Sequence, residues 1–598
     1  MRSAVQAWIA DDPDPGDRAE LAALLRAGDT GALTERFGEP LTFGTAGIRG
    51  PLGAGPARMN RATVRRVVAG LAHYLNQSGP DEAGPDQAAP PPVVIGYDAR
   101  RGSREFADEA AAVLTGAGRA VLRLPGPVPT PVLAFAVRHL HAVAGVMVTA
   151  SHNPREDNGV KVYWTDGAQI VPPVDTGIAA AAAAAGPLLD LPLGPPGEAL
   201  GDEVTQAYLD AITAAVPPGG EGERTELRIA YTPLHGVGLA TALRAFAQAG
   251  FAEPAVVAEQ AEPDGAFPTL PKPNPEEPGA LDLLLAEATR TGADLALAND
   301  PDADRLAVAL PDPAAQSDPE TQSDPGAPPG WRVLTGDEIG ALLGDHLLRH
   351  AADPARRLLV TTIVSAGLLG ELAAAAGAAY AETLTGFKWI MRAADDPAVP
   401  PGHQFLFGYE EALGYAVSDV VRDKDGMSAA LVLAAAAAEA RSRGQTLTGV
   451  LNGIAHRFGL YATSQFSVDL SGGPDAAPEA DEGAGAALLA AARNAPPLSL
   501  LGQPLEAVDD LGLGLRSHAD GTKDPLTLPR SDAIIWRAAA RTRVAIRPSG
   551  TEPKVKIYLQ VVLPVADQDD LGTAGPLRAQ AARRLADLRQ EVSEVLHL

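Results

Sequence analysis

Short apolar, β-branched runs alternate along this chain with longer Ala- and Leu-rich stretches of helical period. "VVIGYDAR" leads into "SREFADEAAAVLTGAG" and then "RAVLRL"; "LRIAYTPL" precedes "GVGLATALRAFAQAG" and "PAVVAE"; "LLVTTIVSA" precedes "LLGELAAAAGA". A short apolar run predicts a buried strand, and a longer stretch with period 3.6 predicts a helix. Their repeated alternation predicts α/β domains with parallel or mixed sheets. Towards the end the pattern changes. "RTRVAIRPSGTEPKVKIYLQVV" reads as strands around a turn, and the charged stretch that closes the chain as one helix, so a separate α+β domain is expected there. Three Pro-, Gly- and Asp-rich segments, Ser78 to Pro92, Pro311 to Gly330 and Ser471 to Ala486, read as exposed loops or linkers.

Composition narrows the partners. The 598 residues, 46% hydrophobic, suffice for several cores. A net charge of -27 argues against nucleic acid or an anionic membrane as partner, since both need a basic face. It leaves room for a small anion, because local Arg and Lys act within a screening length of about 10 Å. Cysteine is absent, which removes disulfides, thiolate catalysis and Cys-ligated metals. The opening stretch turns acidic without a long apolar core, so no signal peptide is expected, and the alanine-rich runs are too short to span a bilayer. A cytoplasmic location is the expectation; the sequence is silent on oligomeric state.

Ligands of α/β sheets collect beyond the carboxyl ends of strands, and five polar loops sit where such ends should be. "FGTAGIRG" offers glycines around Arg49, either an anion contact or a plain connection with a surface arginine. "VMVTASHNPREDNGVKVY" places Ser151 after an apolar run, as a helix cap or a nucleophile, with Asp157-Asn158-Gly159 read as a tight turn that folds Lys161 back beside it. His152 adjoins the serine, but neighbouring side chains diverge in an extended loop, and no G-x-S-x-G elbow is present, so a Ser-His-Asp hydrolase fits poorly.

"DLALANDPDADRLAV" alternates Asp300, Asp302 and Asp304 directly after an apolar strand, with Arg305 adjacent. At about 5 Å and an effective dielectric near 20, each carboxylate pair costs roughly 3 kcal/mol. A hard divalent cation would relieve that cost, and Mg²⁺ keeps positions open for phosphate oxygens; a solvated acidic loop is the alternative. "TGFKWI" (Thr385, Gly386, Lys388) and "GYEEALGYAVSDVVRDKDG" (Glu410, Glu411, Lys424) could meet sugar hydroxyls and phosphate, against a solvated helix start and surface lysines. "RPSGTEPK" gathers Arg547, Ser549, Gly550 and Thr551, the donors of a phosphate cradle, or of a hairpin turn.

Taken together and in this order, the five loops resemble those of the α-D-phosphohexomutase superfamily, the phosphoglucomutase/phosphomannomutase enzymes, from Leu41 to about Leu563. The resemblance implies three related mixed-sheet α/β domains plus a C-terminal α+β domain around a central cleft, with boundaries expected at 1–205, 206–330, 331–455 and 456–598. It implies that Ser151 carries the transferable phosphate and that Asp300, Asp302 and Asp304 hold Mg²⁺ together with a Ser151 phosphate oxygen. Arg49 and Arg305 would steady that site, His152 and Lys161 would contact the reacting region, and Lys161 or Lys424 would move protons. Thr385, Gly386, Lys388, Glu410 and Glu411 would bind the sugar, and Arg547, Ser549, Gly550 and Thr551 the phosphate that stays. A sugar 1,6-bisphosphate would be both intermediate and activator. Ala412 stands where a Ser usually follows the Glu pair, and no Ser-Gly-His ends the loop, which looks like the long phosphoglucomutase-like branch acting on glucose or pentose phosphates. The expected activity interconverts glucose 1- and 6-phosphates, with mannose and pentose phosphates as alternatives.

Three rivals remain. A haloacid-dehalogenase-type phosphatase also follows an apolar strand with Asp-x-Asp, its first Asp being the nucleophile. A dinucleotide enzyme would rest on "HGVGLATAL", where Thr241 replaces the third small residue. A sugar-phosphate sensor would keep the loops without turnover.

Overall fold

The computed structural model describes residues 1–43, 47–78, 90–312, 330–396, 399, 401–469, 479–549, 554–566, 571 and 575–598. Most of Ser78–Pro92 and Pro311–Gly330 lies outside the described residues, as do 471–478, Gly550 and Thr551; residues 479–486, expected as loop, instead begin the helix Glu479–Asn494, whose alanines favour it. The chain divides into two compact units, Met1–Val308 with Gly414–Ala435, and Ala309–Leu413 with Ala436–Leu598.

In the first unit, six strands form a mixed sheet in the order Ile48–Pro51, Asp157–Trp164, Ala144–Val148, Val93–Tyr97, Val121–Pro127, Glu198–Ala199. The three strands from 93 to 148 pair in parallel, and Asp157–Trp164 runs antiparallel to its neighbours on both sides. Ala144–Val148 is buried at every position, as expected for a strand covered on both faces. Helices Arg61–Ser78 and Ser103–Gly116 supply Val64, Val68, Leu71, Phe106 and Leu114 to the core beneath Val93, Ile95 and Val146. A second sheet sets Ile229–Thr232 in parallel between Ala255–Val256 and Leu295–Asn299. Leu295–Asn299 is again buried throughout and delivers Asp300 at its carboxyl end.

In the second unit, Arg357–Thr362 pairs in parallel with Ala379–Thr383 and Gln404–Glu410. Helix Gly336–His350 opens on a capping box between Thr335 and Glu338. The C-terminal part is an antiparallel sheet in the order Leu460–Asp469, Lys554–Leu563, Arg543–Pro548, Ile534–Ala538, Gln503–Asp510, Leu515–His518, Lys523–Pro525. The closing helix Pro576–Leu596 buries Leu588, Val592 and Leu596 against it. α/β sheets followed by a sheet-rich C-terminal domain are thus the fold that the apolar pattern predicted, and three such sheets are the number that the resemblance implied. Among the described residues no helix is long and apolar enough to cross a membrane.

One local expectation fails. Asp157-Asn158-Gly159 is no turn: all three begin the strand Asp157–Trp164, and Pro51, Gly50 and Arg49 face them in register. The reversal lies upstream, between Ser151 and Glu156. Asn158 is buried, and its side chain donates to the Arg101 carbonyl at 2.8 Å and to Ser103 Oγ at 3.0 Å. Gly159 is needed for close approach, since a Cβ there would stand 2.6 Å from the Ile48 carbonyl oxygen and 2.9 Å from that of Thr149. Lys161 still reaches the serine side of the sheet, because the ladder pairs it with Met147 and pairs Val160 with Val148.

Candidate active site

Ser151 follows the buried strand Ala144–Val148 and has φ of 52°, a left-handed backbone that non-glycine residues adopt rarely. It caps no helix; its own N–H donates to Thr149 Oγ1 at 2.8 Å. Its hydroxyl is buried and donates to Asp300 Oδ2 at 2.6 Å. Because the backbone at Ser151 turns left-handed, the His152 ring does not diverge: its Nδ1 lies 3.1 Å from Ser151 Oγ, contrary to the extended-loop expectation. Burial, then Arg305 and Arg49, hold His152 well below its usual pKa, so the imidazole is neutral near pH 7.

The acidic loop is compact. Ala303, at φ 57°, lets the chain double back, with its N–H on the Asp300 carbonyl at 2.8 Å. Asp300, Asp302 and Asp304 are all fully buried, and one carboxylate oxygen from each lies within 4.8 Å of the others. Their outer oxygens are divided between cations and hydroxyls. Lys161 Nζ donates to Asp302 Oδ2 at 2.7 Å and to Asp304 Oδ2 at 2.9 Å, and Thr130 Oγ1 donates to Asp302 Oδ2 at 2.6 Å. Lys424 Nζ lies 3.3 Å from Asp304 Oδ2, and the Arg305 N–H donates to Asp300 Oδ1 at 3.0 Å.

Two buried oxygens, Asp302 Oδ1 and Asp304 Oδ1, have no hydrogen-bond partner. An unsatisfied buried carboxylate oxygen is costly, and oxygen-only donors suit a hard dication. The residues therefore fit the metal that the loop pattern predicted. Burial pushes the Asp300 carboxyl well above its usual range, with Asp302 and Asp304 adding to it, and a dication would relieve that repulsion. Burial opposes the ammonium form of Lys161, yet Asp302 and Asp304 outweigh it and keep the pKa raised.

Arg49 also reaches this loop. Its Nη1 donates to Asn153 Oδ1 at 3.4 Å, and its buried Nε has no hydrogen-bond partner. Arg305 lies 3.9 Å from both Glu276 and Asp304. Arg49, Ser151, His152, Lys161, Asp300, Asp302, Asp304, Arg305 and Lys424 thus meet within the first unit.

Three residues that the sequence reading passed over hold this cluster in place. Arg100, 4% exposed, donates to four carbonyls of the serine loop: Ser151 at 2.6 Å, Asn153 at 2.6 Å, Pro154 at 2.7 Å and Asp157 at 3.0 Å. Thr130 fixes Asp302 with its hydroxyl and also donates its N–H to the Asp302 carbonyl at 2.9 Å. Asp423 lies 3.3 Å from Lys424 Nζ and accepts from Tyr163 at 2.7 Å and Gln169 at 2.8 Å. For Arg100 a signal existed: "DARRG" follows the apolar strand Val93–Tyr97 at its carboxyl end, as the other polar loops follow theirs.

The remaining predicted residues lie in the second unit. Glu410 ends a strand, and Glu411 Oε2 accepts from Ser365 at 3.1 Å and Thr362 at 3.3 Å, so neither starts a helix. Burial, then Glu410 and Asp337, push the Glu411 carboxyl up to about 7. Thr385 and Gly386 precede the single helical turn Phe387–Ile390, whose Lys388 is buried, 5.5 Å over the Trp389 ring, and not on the surface. Arg547 Nη1 donates to Tyr558 at 3.4 Å, the Ser549 N–H donates to the Lys554 carbonyl at 2.7 Å, and Arg547 and Pro548 pair with Lys556 and Val555. The Tyr558 hydroxyl pKa is raised by burial and then by Glu411, so Glu410, Glu411 and Arg547 are all electrostatic neighbours of Tyr558.

The domains that carry this buried serine and aspartate triad match those of known proteins. Family models described as phosphoglucomutase/phosphomannomutase, alpha/beta/alpha domains I, II and III, match residues 40–187, 206–312 and 335–458 in that order. The chain belongs to the phosphoglucomutase/phosphomannomutase family. Its members' chemistry makes it an intramolecular phosphotransferase, an isomerase, whose substrate is a phosphosugar and whose family uses a metal. A probable phosphomannomutase of Haemophilus influenzae is 39% identical over 507 residues, covering 84% of this chain and 92% of that protein. The mouse phosphopentomutase is 33% identical, covering 94% of this chain and 90% of its own. A phosphoglucomutase of Staphylococcus haemolyticus is 33% identical, covering 91% and 94%.

Proposed function

We propose that this phosphotransferase interconverts glucose 1-phosphate and glucose 6-phosphate through a phosphorylated Ser151 and a glucose 1,6-bisphosphate intermediate. One observation carries the assignment of Ser151: its buried hydroxyl donates to Asp300 beside two carboxylate oxygens that lack donors. Mg²⁺ held by Asp300, Asp302, Asp304 and a Ser151 phosphate oxygen would neutralise the charge that otherwise resists transfer.

The chain's own residues supply the rest. Arg100 fixes the serine loop, while Arg49 and Arg305 add guanidinium charge next to it. As the Ser151 Oγ–P bond breaks, the phosphoryl group passes to the sugar hydroxyl oxygen. Ser151 Oγ takes up a proton and the sugar oxygen loses one. Lys161, held as an ammonium, is the acid for Oγ, with neutral His152 at 3.1 Å able to hold that proton. Lys424, oriented by Asp423, is the second proton carrier. Glu410, Glu411, Thr385, Gly386 and Lys388 bind sugar hydroxyls, and Arg547, Ser549, Gly550 and Thr551 grip the phosphate that stays. The four-domain division at 205, 330 and 455, and a cytoplasmic location, belong to the same proposal.

A pentose 1- and 5-phosphate substrate is the second reading, favoured by the phosphopentomutase likeness across 94% of the chain. Values of kcat/KM for glucose, mannose, glucosamine and ribose 1-phosphates, with the sugar bisphosphate supplied, decide between them. A preference for any substrate but glucose overturns the first reading. Full activity in S151A would instead point to an aspartate nucleophile such as Asp300.

A further inference from the structure

We propose that His346, His350 and Glu439 form a second cation site, for Zn²⁺ or a similar borderline dication, chemically distinct from the aspartate triad. His346 and His350 are four residues apart on helix Gly336–His350, so their rings share one face, with centroids 4.8 Å apart. Glu439, near the end of helix Gly426–Ser442, presents one carboxylate oxygen to both. Its Oε2 lies 3.1 Å from His346 Nδ1 and 3.2 Å from His350 Nε2. With ligand bonds of about 2.0–2.1 Å, adjacent donors on a tetrahedral zinc stand about 3.3 Å apart. Both histidine–glutamate pairs are therefore already near that spacing, and all three ligand atoms lie within 4.8 Å of one another.

The state of His346 gives the independent indication. Its side chain is 1% exposed, and neither ring nitrogen makes a well-directed hydrogen bond, although Nδ1 lies 3.1 Å from the Glu439 carboxylate. A buried imidazole satisfied by hydrogen bonds would use at least one nitrogen; a metal would use Nδ1 as a lone-pair donor.

The surrounding charges set the affinity. Arg443 pairs with Glu439 Oε1, and Arg349 Nη1 lies 3.1 Å from Oε2. Neither is confined to that carboxylate. Arg443 is 54% exposed, and Arg349 also holds Asp345 at 2.9 Å, so each can give way to an arriving dication. Their charge weakens binding, and micromolar affinity is expected rather than that of a neutral three-ligand site. Imidazole donors favour Zn²⁺, Co²⁺ or Ni²⁺ over Mg²⁺, whereas the oxygen-only triad favours Mg²⁺. Occupancy would pin the C-terminal turns of the two helices without touching the serine loop.

The test titrates Zn²⁺, and separately Co²⁺, into the full-length protein under saturating Mg²⁺. The wild type should take up one Zn²⁺ equivalent and develop the visible absorption of tetrahedral Co²⁺. D300N/D302N/D304N should keep that equivalent. H350A removes a partly exposed ligand without opening the core. Its Zn²⁺ affinity should fall at least about 100-fold, with turnover in Mg²⁺ unchanged. E439Q should weaken binding likewise. No Zn²⁺ equivalent in the wild type, or an equivalent that survives H350A, overturns the proposal.

Discussion

Arg100 carries a prediction that no single local motif suggests. Replacing it with methionine keeps the apolar stem but removes all four donors from the carbonyls of Ser151, Asn153, Pro154 and Asp157. Asp98, also buried, loses the cation 3.7 Å away. Hydrogen bonds from a charged donor contribute roughly 1.5–3 kcal/mol each. Three of the four carbonyls, those of Asn153, Pro154 and Asp157, sit on less buried residues and can rehydrate. A net loss of about 1.5–3 kcal/mol follows from the buried Ser151 carbonyl alone, concentrated on the loop that sets Ser151 in its left-handed conformation.

A displacement of about 1 Å at a reacting group can reduce the rate about 100-fold. R100M should therefore lower kcat by about that factor with little change in KM, because the residues proposed to bind the sugar are untouched. R100K, which keeps the charge but not the fork, should fall between. The assays are steady-state mutase kinetics, the rate of Ser151 phosphorylation by glucose 1,6-bisphosphate, and hydrogen exchange over residues 151–157. Wild-type kcat in R100M, with unchanged exchange across the loop, would refute the reasoning.

Three further outcomes follow from the geometry. G159A sets a Cβ 2.6 Å from the Ile48 carbonyl oxygen, and should lower the melting temperature and the mutase activity together, measured by thermal unfolding and turnover. Glu411, with its carboxyl pushed up to about 7 in the folded state, is proton-bound there at pH values where the unfolded chain is already ionised. Its penalty is absent below the unfolded pKa, grows above it and is complete above pH 7; E411Q should gain stability over wild type between pH 5 and about 8, seen in pH-dependent denaturant melts. Chelation of divalent ions should abolish turnover and Mg²⁺ should restore it, whereas D302N should require far more Mg²⁺, read from activity against metal concentration.

Much of this site could be read from sequence because its parts announce themselves at strand ends. Ser151 and the Asp300 triplet each break an apolar run with polar groups that a turn does not need, and all four side chains are buried. The pattern of apolar runs also gave the sheets, since strands buried on both faces have no polar alternation to mislead. What it could not give were contacts made across long separations. Thr130 meets Asp302, Asp423 orients Lys424 against Asp304, and Arg100 grips a loop that begins fifty-one residues later. Asp157-Asn158-Gly159 misled for the opposite reason. In isolation it has turn chemistry, but the strand Ile48–Pro51 and the Thr149 N–H claim its backbone, and Ser103 and Arg101 claim the Asn158 side chain. His152 was misjudged because one left-handed residue redirects the side chain that follows it.

The central claim is that Ser151 carries the phosphoryl group between positions of the sugar. Incubation with labelled glucose 1,6-bisphosphate, followed by peptide mass spectrometry and an alkaline hydroxylamine challenge, tests it most directly. The account predicts one hydroxylamine-stable phosphate on Ser151, absent from S151A together with mutase turnover. Label on Asp300, released by hydroxylamine, or near-full turnover in S151A, would contradict it.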